Sequence, residues 1–189
     1  MKNKIAFVYD VDYTLIDGYH PSLILNNRGV DINSFWKNVS DIQKNEKASG
    51  EKTNVDIVYL AHFMHEVRYG KLNGLSIKEI QECGKELNKL FYPGIPKFFD
   101  NLKKINPNII HNLVSVGIRP LLEGSALGSH MQQIFGYTFF DDLTEGDTID
   151  EIKSTSSSSE KIPAIVAISY GKSETGFEFP IKDMIYFGD

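Results

Sequence analysis

Residues Lys4 to Ile16 read KIAFVYDVDYTLI, and this stretch decides the fold. The run Ile5-Ala6-Phe7-Val8-Tyr9 is rich in β-branched and aromatic residues, the composition of a short buried strand. Asp10 and Asp12 follow two residues apart, with Thr14 two further on. Period-2 spacing puts both carboxylates on one side if the strand continues. In an open α/β sheet, ligands bind beyond the carboxyl ends of the strands, so an apolar strand ending in acids marks a candidate site edge.

Outward from this stretch the pattern changes. Asp17-Gly18 and Pro21 predict a turn or loop. Ile32, Phe35, Trp36, Val39 and Ile42 recur at helical spacing within Asp31 to Lys47, and a second helix is expected from about Asn54 to Tyr69. Ser76 and Glu79 form a capping box for a third, with Leu75 and Ile80 as its hydrophobic staple. No strand is visible in this region, which reads as an α-helical insert within an α/β core.

The core resumes at Phe91. Pro96 suits the first turn of a helix carrying Phe98, Phe99 and Leu102. Ile109 to Val116 is the second strand, ending at Ser115 and Gly117. A helix is expected from about Pro120 to Phe135, running through Gly128-Ser129-His130-Met131, then a short strand at Tyr137 to Phe140. Gly146-Asp147 predicts a turn, Thr148 to Ile152 an edge strand, and Ser154 to Ser159 a linker. Glu160 to Tyr170 has helical spacing, with Pro163 tolerated in the first turn. Met184 to Phe187 is the last strand, followed by Gly188-Asp189.

Composition narrows the function. The 189 residues suit one domain, or one domain with a small insert. The net charge of −5 excludes a general basic field for nucleic acid, so an anionic ligand needs local cations. One cysteine, Cys83, forbids an internal disulfide and fits the cytoplasm. The first apolar run is too short for a signal peptide, and no stretch reaches membrane-span length.

Four motifs thus lie at the ends of their elements: Asp10-x-Asp12-x-Thr14, Ser115 with Gly117, Lys161 at a helix start, and Gly188-Asp189 after the last strand. In this order they resemble motifs I to IV of the haloacid dehalogenase (HAD) superfamily, and Val114 to Pro120 is similar to its phosphoserine-phosphatase-like branch. The resemblance implies a Rossmann-like core over 1–16 and 91–189, with residues 17–90 as a helical cap. It implies a Mg2+-dependent phosphatase acting on a small phosphorylated metabolite through an aspartyl-phosphate. Asp10 is then the nucleophile and Asp12 the general acid and base. Thr14, Ser115, Gly117 and Lys161 bind the phosphoryl group; Asp10, Asp12 and Asp189 hold the metal. Lys172 is the rival to Lys161. Motif IV of the family continues to a second acid, whereas this chain stops at its first, which marks it as truncated. Two alternatives stay open: an impaired or truncated HAD-like binding module, and a phosphomutase.

Other candidates are weaker. His65-Glu66 lacks the second histidine of a zinc helix, since Tyr69 stands there. Gly171-Lys172-Ser173 lacks the earlier glycine of a phosphate loop, since Val166 stands there. Cys83 lies on an apolar stripe. His20 and Arg119 neighbour the motifs, and both surface placement and substrate contact are open to them. Oligomeric state is not encoded in any pattern found.

Overall fold

The structure, a computed structural model, describes residues 4–50, 54–140, 148–154, 161–170 and 181–188. Its frame is a mostly parallel five-stranded sheet. The strands are β1 (Ile5–Tyr9), β2 (Ile109–Ile118), β3 (Gln133–Phe140), β4 (Glu151–Ser154) and β5 (Met184–Phe187), in the order β4-β3-β2-β1-β5. β1 is central, parallel to both β2 and β5; β4 is an antiparallel edge.

Alternation along β1 assigns its faces. Ala6 and Val8 face a small cluster with Val114, Ala164 and Ile168, so α7 (Lys161–Tyr170) covers that side. Phe7 and Tyr9 face the main core with Phe99 of α5 (Lys97–Ile105). Tyr9 stacks on Phe187 at 4.9 Å and meets Phe99 edge-on at 5.3 Å. Its hydroxyl is hydrogen-bonded to His111 Nδ1 at 2.9 Å. Helices on both faces of a parallel sheet give the expected α/β class.

The region after β1 is helical, as expected: α1 (Pro21–Asn27), α2 (Ile32–Ala48), α3 (Val55–Tyr69) and α4 (Ile77–Gly84). Asp31, Asn54 and Ser76 cap α2, α3 and α4. Ser76 Oγ accepts from Glu79 N, but the Glu79 carboxylate binds Arg28 at 2.5 Å, so only half of the capping box forms. Phe63 and Tyr59 of α3 share one core with Tyr137 and Phe139 of β3.

Three expectations need correction. The predicted loop at Pro21 is α1, whose Ile24 and Leu25 are fully buried. The helix predicted over Pro120 to Phe135 is only α6 (Arg119–Gly124), and Gln133 to Phe135 already pairs with β2. The reason is contact with α4. A Cβ on Gly124 would lie 2.0 Å from Gln81 O, and one on Gly84 2.2 Å from Leu121 O. This backbone-to-backbone seam needs glycine on both sides, and sheet pairing then overrides local helical spacing. The predicted edge strand falls later, at Glu151–Ser154. The expected turn at Gly146-Asp147 lies outside the described residues.

Candidate active site

Asp10 sits one residue beyond the end of β1. Tyr9 pairs with Leu113 on one side and Phe187 on the other, so Asp10 is flanked by β2 just past Leu113 and by the end of β5. Its amide donates to Phe187 O at 2.8 Å. Its side chain continues the face of Ala6 and Val8 and meets the start of α7. There Lys161 Nζ donates to Asp10 Oδ2 at 2.6 Å. Val11 N donates to Oδ1 at 2.8 Å. Lys161 also donates to Tyr186 Oη at 3.1 Å. Burial pulls the Lys161 pKa down, but the bonds to Asp10 and Tyr186 outweigh it and the net shift is upward. Lys161 is a fixed cation at a helix N-terminus, a place that otherwise favours anions. Its rival Lys172 lies outside the described residues.

The strand does not continue to Asp12. Tyr13 adopts φ +55°, a left-handed conformation uncommon for a bulky residue. Val11 O collects the amides of Thr14, Leu15 and Ile16. Asp12 therefore points into different surroundings, where His20 waits. His20 N and His20 Nδ1 both reach Asp12 Oδ1, at 2.9 and 2.7 Å. On the far side of the ring, Ile118 N donates to His20 Nε2 at 2.9 Å. Because Nε2 accepts, the proton sits on Nδ1 and is donated to Asp12. His20 is fully buried, so its surface placement is excluded. Nothing in a single sequence marks it: the ring is brought to Asp12 by the turn before α1.

The remaining predicted residues divide. Ser115 is fully buried in an irregular stretch of β2 between Val114 and Ile118, and its Oγ accepts from Gly117 N at 3.1 Å. Accepting that bond leaves its hydroxyl proton available. Gly117 differs from expectation. Its amide is taken by Ser115, and its missing side chain makes room for His20: a Cβ there would lie 1.8 Å from the imidazole Cε1. Thr14 is seen as a turn residue, half-buried, its amide bonded to Val11 O at 3.1 Å. Asp189 lies outside the described residues. Gly188 before it packs on Asp10, where a Cβ would come within 2.8 Å of Asp10 Cβ.

Asp10 carboxylate and Asp12 carbonyl are oxygen donors, the kind that suits a hard cation such as Mg2+. Among the described residues, no group of three or more histidine, cysteine, aspartate or glutamate side chains could hold a metal ion. Two of the three predicted ligands, Asp10 and Asp12, are among the described residues. Of the candidates set aside, Cys83 is buried and accepts from Asn27 Nδ2 at 3.1 Å, His62 stacks on Phe35 at 4.6 Å, and Arg119 pairs with Glu123 on the surface.

No family model matches the chain. An uncharacterized protein of Borreliella burgdorferi is 28% identical over 148 residues, 74% of this chain and 51% of the relative. The chain thus spans about half the length of the curated relative it matches. Among solved structures, a HAD family hydrolase from Salmonella enterica serovar Typhi superposes with TM-score 0.63 at 14% identity, covering 96% of this chain and 54% of that one. A phosphoserine phosphatase holding a phospho-aspartyl intermediate analogue gives TM-score 0.62 at 18% identity, covering 98% of this chain and 78% of that one. This is a HAD fold. Its shape is like that of the phosphoserine phosphatases, the branch that Val114 to Pro120 resembles. Within the HAD fold, the meeting of Asp10 with Lys161 lies where the strand-end argument puts a ligand.

Proposed function

We propose that the protein is a phosphatase of small phosphomonoesters. The observation that carries this is the Lys161–Asp10 pair, 2.6 Å long, between residues 151 apart in the chain. A carboxylate attacking an anionic ester needs positive charge to offset repulsion. Lys161 supplies it beside the attacking oxygen, and Ser115 Oγ–H offers a further donor at the end of β2. Mg2+, when bound by Asp10, the Asp12 carbonyl and Asp189, would add charge neutralisation at the transferring phosphoryl group.

In this reading an Asp10 oxygen forms a bond to phosphorus while the bond from phosphorus to the leaving oxygen breaks. Asp12 gives that oxygen its proton. Asp12 Oδ1 is occupied by two donors from His20, so the proton moves from Oδ2. Water then attacks phosphorus, Asp12 takes its proton, and the Asp10–phosphorus bond breaks to release phosphate. His20 acts as a positioning residue, holding Asp12 through one ring nitrogen and the end of β2 through the other. Residues 17–90 serve as the cap, and Asp12 in place of a neutral residue favours phosphate hydrolysis. The single buried thiol is consistent with a reducing compartment such as the cytoplasm. Among the described residues, no helix is long and apolar enough to cross a membrane.

The test is release of p-nitrophenol from p-nitrophenyl phosphate with Mg2+, for wild type and Asp10→Asn. Turnover by wild type alone is expected. Equal inertness would leave the binding-module reading in its place, and sugar-phosphate transfer faster than hydrolysis would mark a phosphomutase.

A further inference from the structure

Lys161 has a second partner besides Asp10. Val8 and Tyr186 are paired in register, so the Tyr186 side chain shares the face of the sheet that α7 covers. Its hydroxyl accepts from Lys161 Nζ at 3.1 Å, whereas Nζ is 5.8 Å from the centre of the ring. The contact is therefore made through the oxygen and not through the ring face. Tyr186 is 37% exposed, so burial does not explain the choice of this side chain. Gly188 makes room for it. A Cβ there would lie 2.7 Å from Tyr186 Oη and 2.8 Å from Asp10 Cβ, so the hydroxyl and Asp10 close on the same point.

The chemistry of the pair gives the placement a purpose. The Lys161 side chain is 18% exposed, and an ammonium largely out of water needs its N–H groups bonded. It has three, in tetrahedral directions about Nζ. Asp10 takes one. With that bond alone, the flexible four-carbon stem keeps several ways to reach the carboxylate. The bond to Tyr186 Oη takes a second, and the direction of the third then follows. A second carboxylate in place of the phenol would also pin Lys161, but it would cancel the charge that an incoming phosphoryl group must meet. A phenol pins the cation and leaves its charge in force.

The placement also says which part of an ester Tyr186 serves. On the other side of the site, beside Asp12, a cavity of about 300 Å³ lies between the Val116-Gly117 stretch and the helices α2 and α3. In the proposed mechanism the leaving group is on that side, where Asp12 gives it a proton. Neither Lys161 nor Tyr186 lines that cavity. Both stand with Asp10, the atom source of the new bond to phosphorus.

We propose that Tyr186 is a positioning residue for phosphoryl transfer, holding Lys161 so that its third N–H meets the phosphoryl group whatever alcohol leaves. This rests on the phosphatase reading, with the same bonds made and broken.

Tyr186→Phe keeps the ring and removes the hydroxyl. Wild type, Tyr186→Phe, Lys161→Met and the double variant are compared in Mg2+ buffer on p-nitrophenyl phosphate and on propyl phosphate. Tyr186→Phe is expected to lower kcat roughly tenfold, the scale of one hydrogen bond to a charged group, and by the same factor for both esters. In the Lys161→Met background it should cost nothing further. An unchanged kcat, a rise in KM alone, a loss that persists without Lys161, or a larger loss for the alkyl ester each overturns the inference. With a wild type that hydrolyses p-nitrophenyl phosphate, any of these leaves the phosphatase reading standing. A wild type that hydrolyses neither ester sinks that reading, and calorimetric titration with orthovanadate, a phosphoryl-transfer analogue, then decides the inference by itself. A Kd about tenfold higher for Tyr186→Phe, and only where Lys161 is present, upholds it. Equal binding by wild type and Tyr186→Phe, or binding by neither, overturns it.

Discussion

Asp10 and Asp12 stand two residues apart and meet opposite company. Asp10 faces a cation, Lys161 at 2.6 Å, on the α7 side of the sheet. Asp12 faces a neutral imidazole, donating from Nδ1 at 2.7 Å, on the side of α1. The left-handed turn at Tyr13 separates them. Two like side chains can then be suited to unlike tasks, because surroundings differ where residue type does not. In the proposed mechanism the first attacks and the second transfers the proton.

The contrast can be broken at either carboxylate. Asp10→Asn removes the attacking oxygen, and phosphate release should fall at least about 1,000-fold. A residual rate near wild type would remove Asp10 from the chemistry. Lys161→Met should lower kcat about 100-fold, the scale of losing one preorganised charge donor. A pure rise in KM would instead make Lys161 a binding group only.

On the Asp12 side, His20→Ala should lower kcat about 10- to 100-fold, up to the low end of the range for general acid catalysis, since Asp12 itself remains. The loss should be larger for an alkyl phosphate than for p-nitrophenyl phosphate, whose leaving group needs little protonation. His20→Asn can still donate to Asp12 and should recover part of it. Equal losses for both esters, with no recovery, would make His20 a packing residue.

Gly117→Ala sharpens the same point through stability. The added methyl would meet the His20 ring, at a cost of about 1–3 kcal/mol. Combined with His20→Ala, that cost should shrink, and denaturant melts of the four proteins would show the coupling. Simple addition would mean that ring and glycine are independent.

The smallest effect lies under the site. Burial, then Lys103 and His130, lower the His111 pKa to about 4. Unfolded His111 takes a proton near pH 6.5, the folded one only near 4, so the unfolded state binds more protons between them. Stability should fall as pH drops through that window, by at most about 3 kcal/mol, then level off with respect to this group. His111→Gln should flatten the slope in pH-dependent melts.

Much of the cationic side was legible in the sequence. An apolar strand running into Asp10 and a lysine opening a helix are local signals, and sheet topology makes them meet. The cap at Ser76 is a local signal too. The Asp12 side was not legible. His20 reaches Asp12 and Ile118 only through a turn whose geometry no periodicity records. Gly117 reads as a phosphate-loop glycine until the imidazole above it is seen. α6 is short because α4 presses on it, a contact between residues distant in sequence. The cavity wall draws on the turn before α1, on α2 and on α3, and helical spacing alone does not tell which of their faces it uses.

The glycine seam between α4 and α6 has a mechanical consequence. With Gly84 against Leu121 and Gly124 against Gln81, neither helix can slide or tilt without steric collision. Arg28 ties the end of α1 to Glu79 of α4. The helical layer is therefore anchored to the sheet at one end. The seam lies apart from the cavity wall, to which α2 contributes Trp36 and α3 contributes Asp56 and Tyr59.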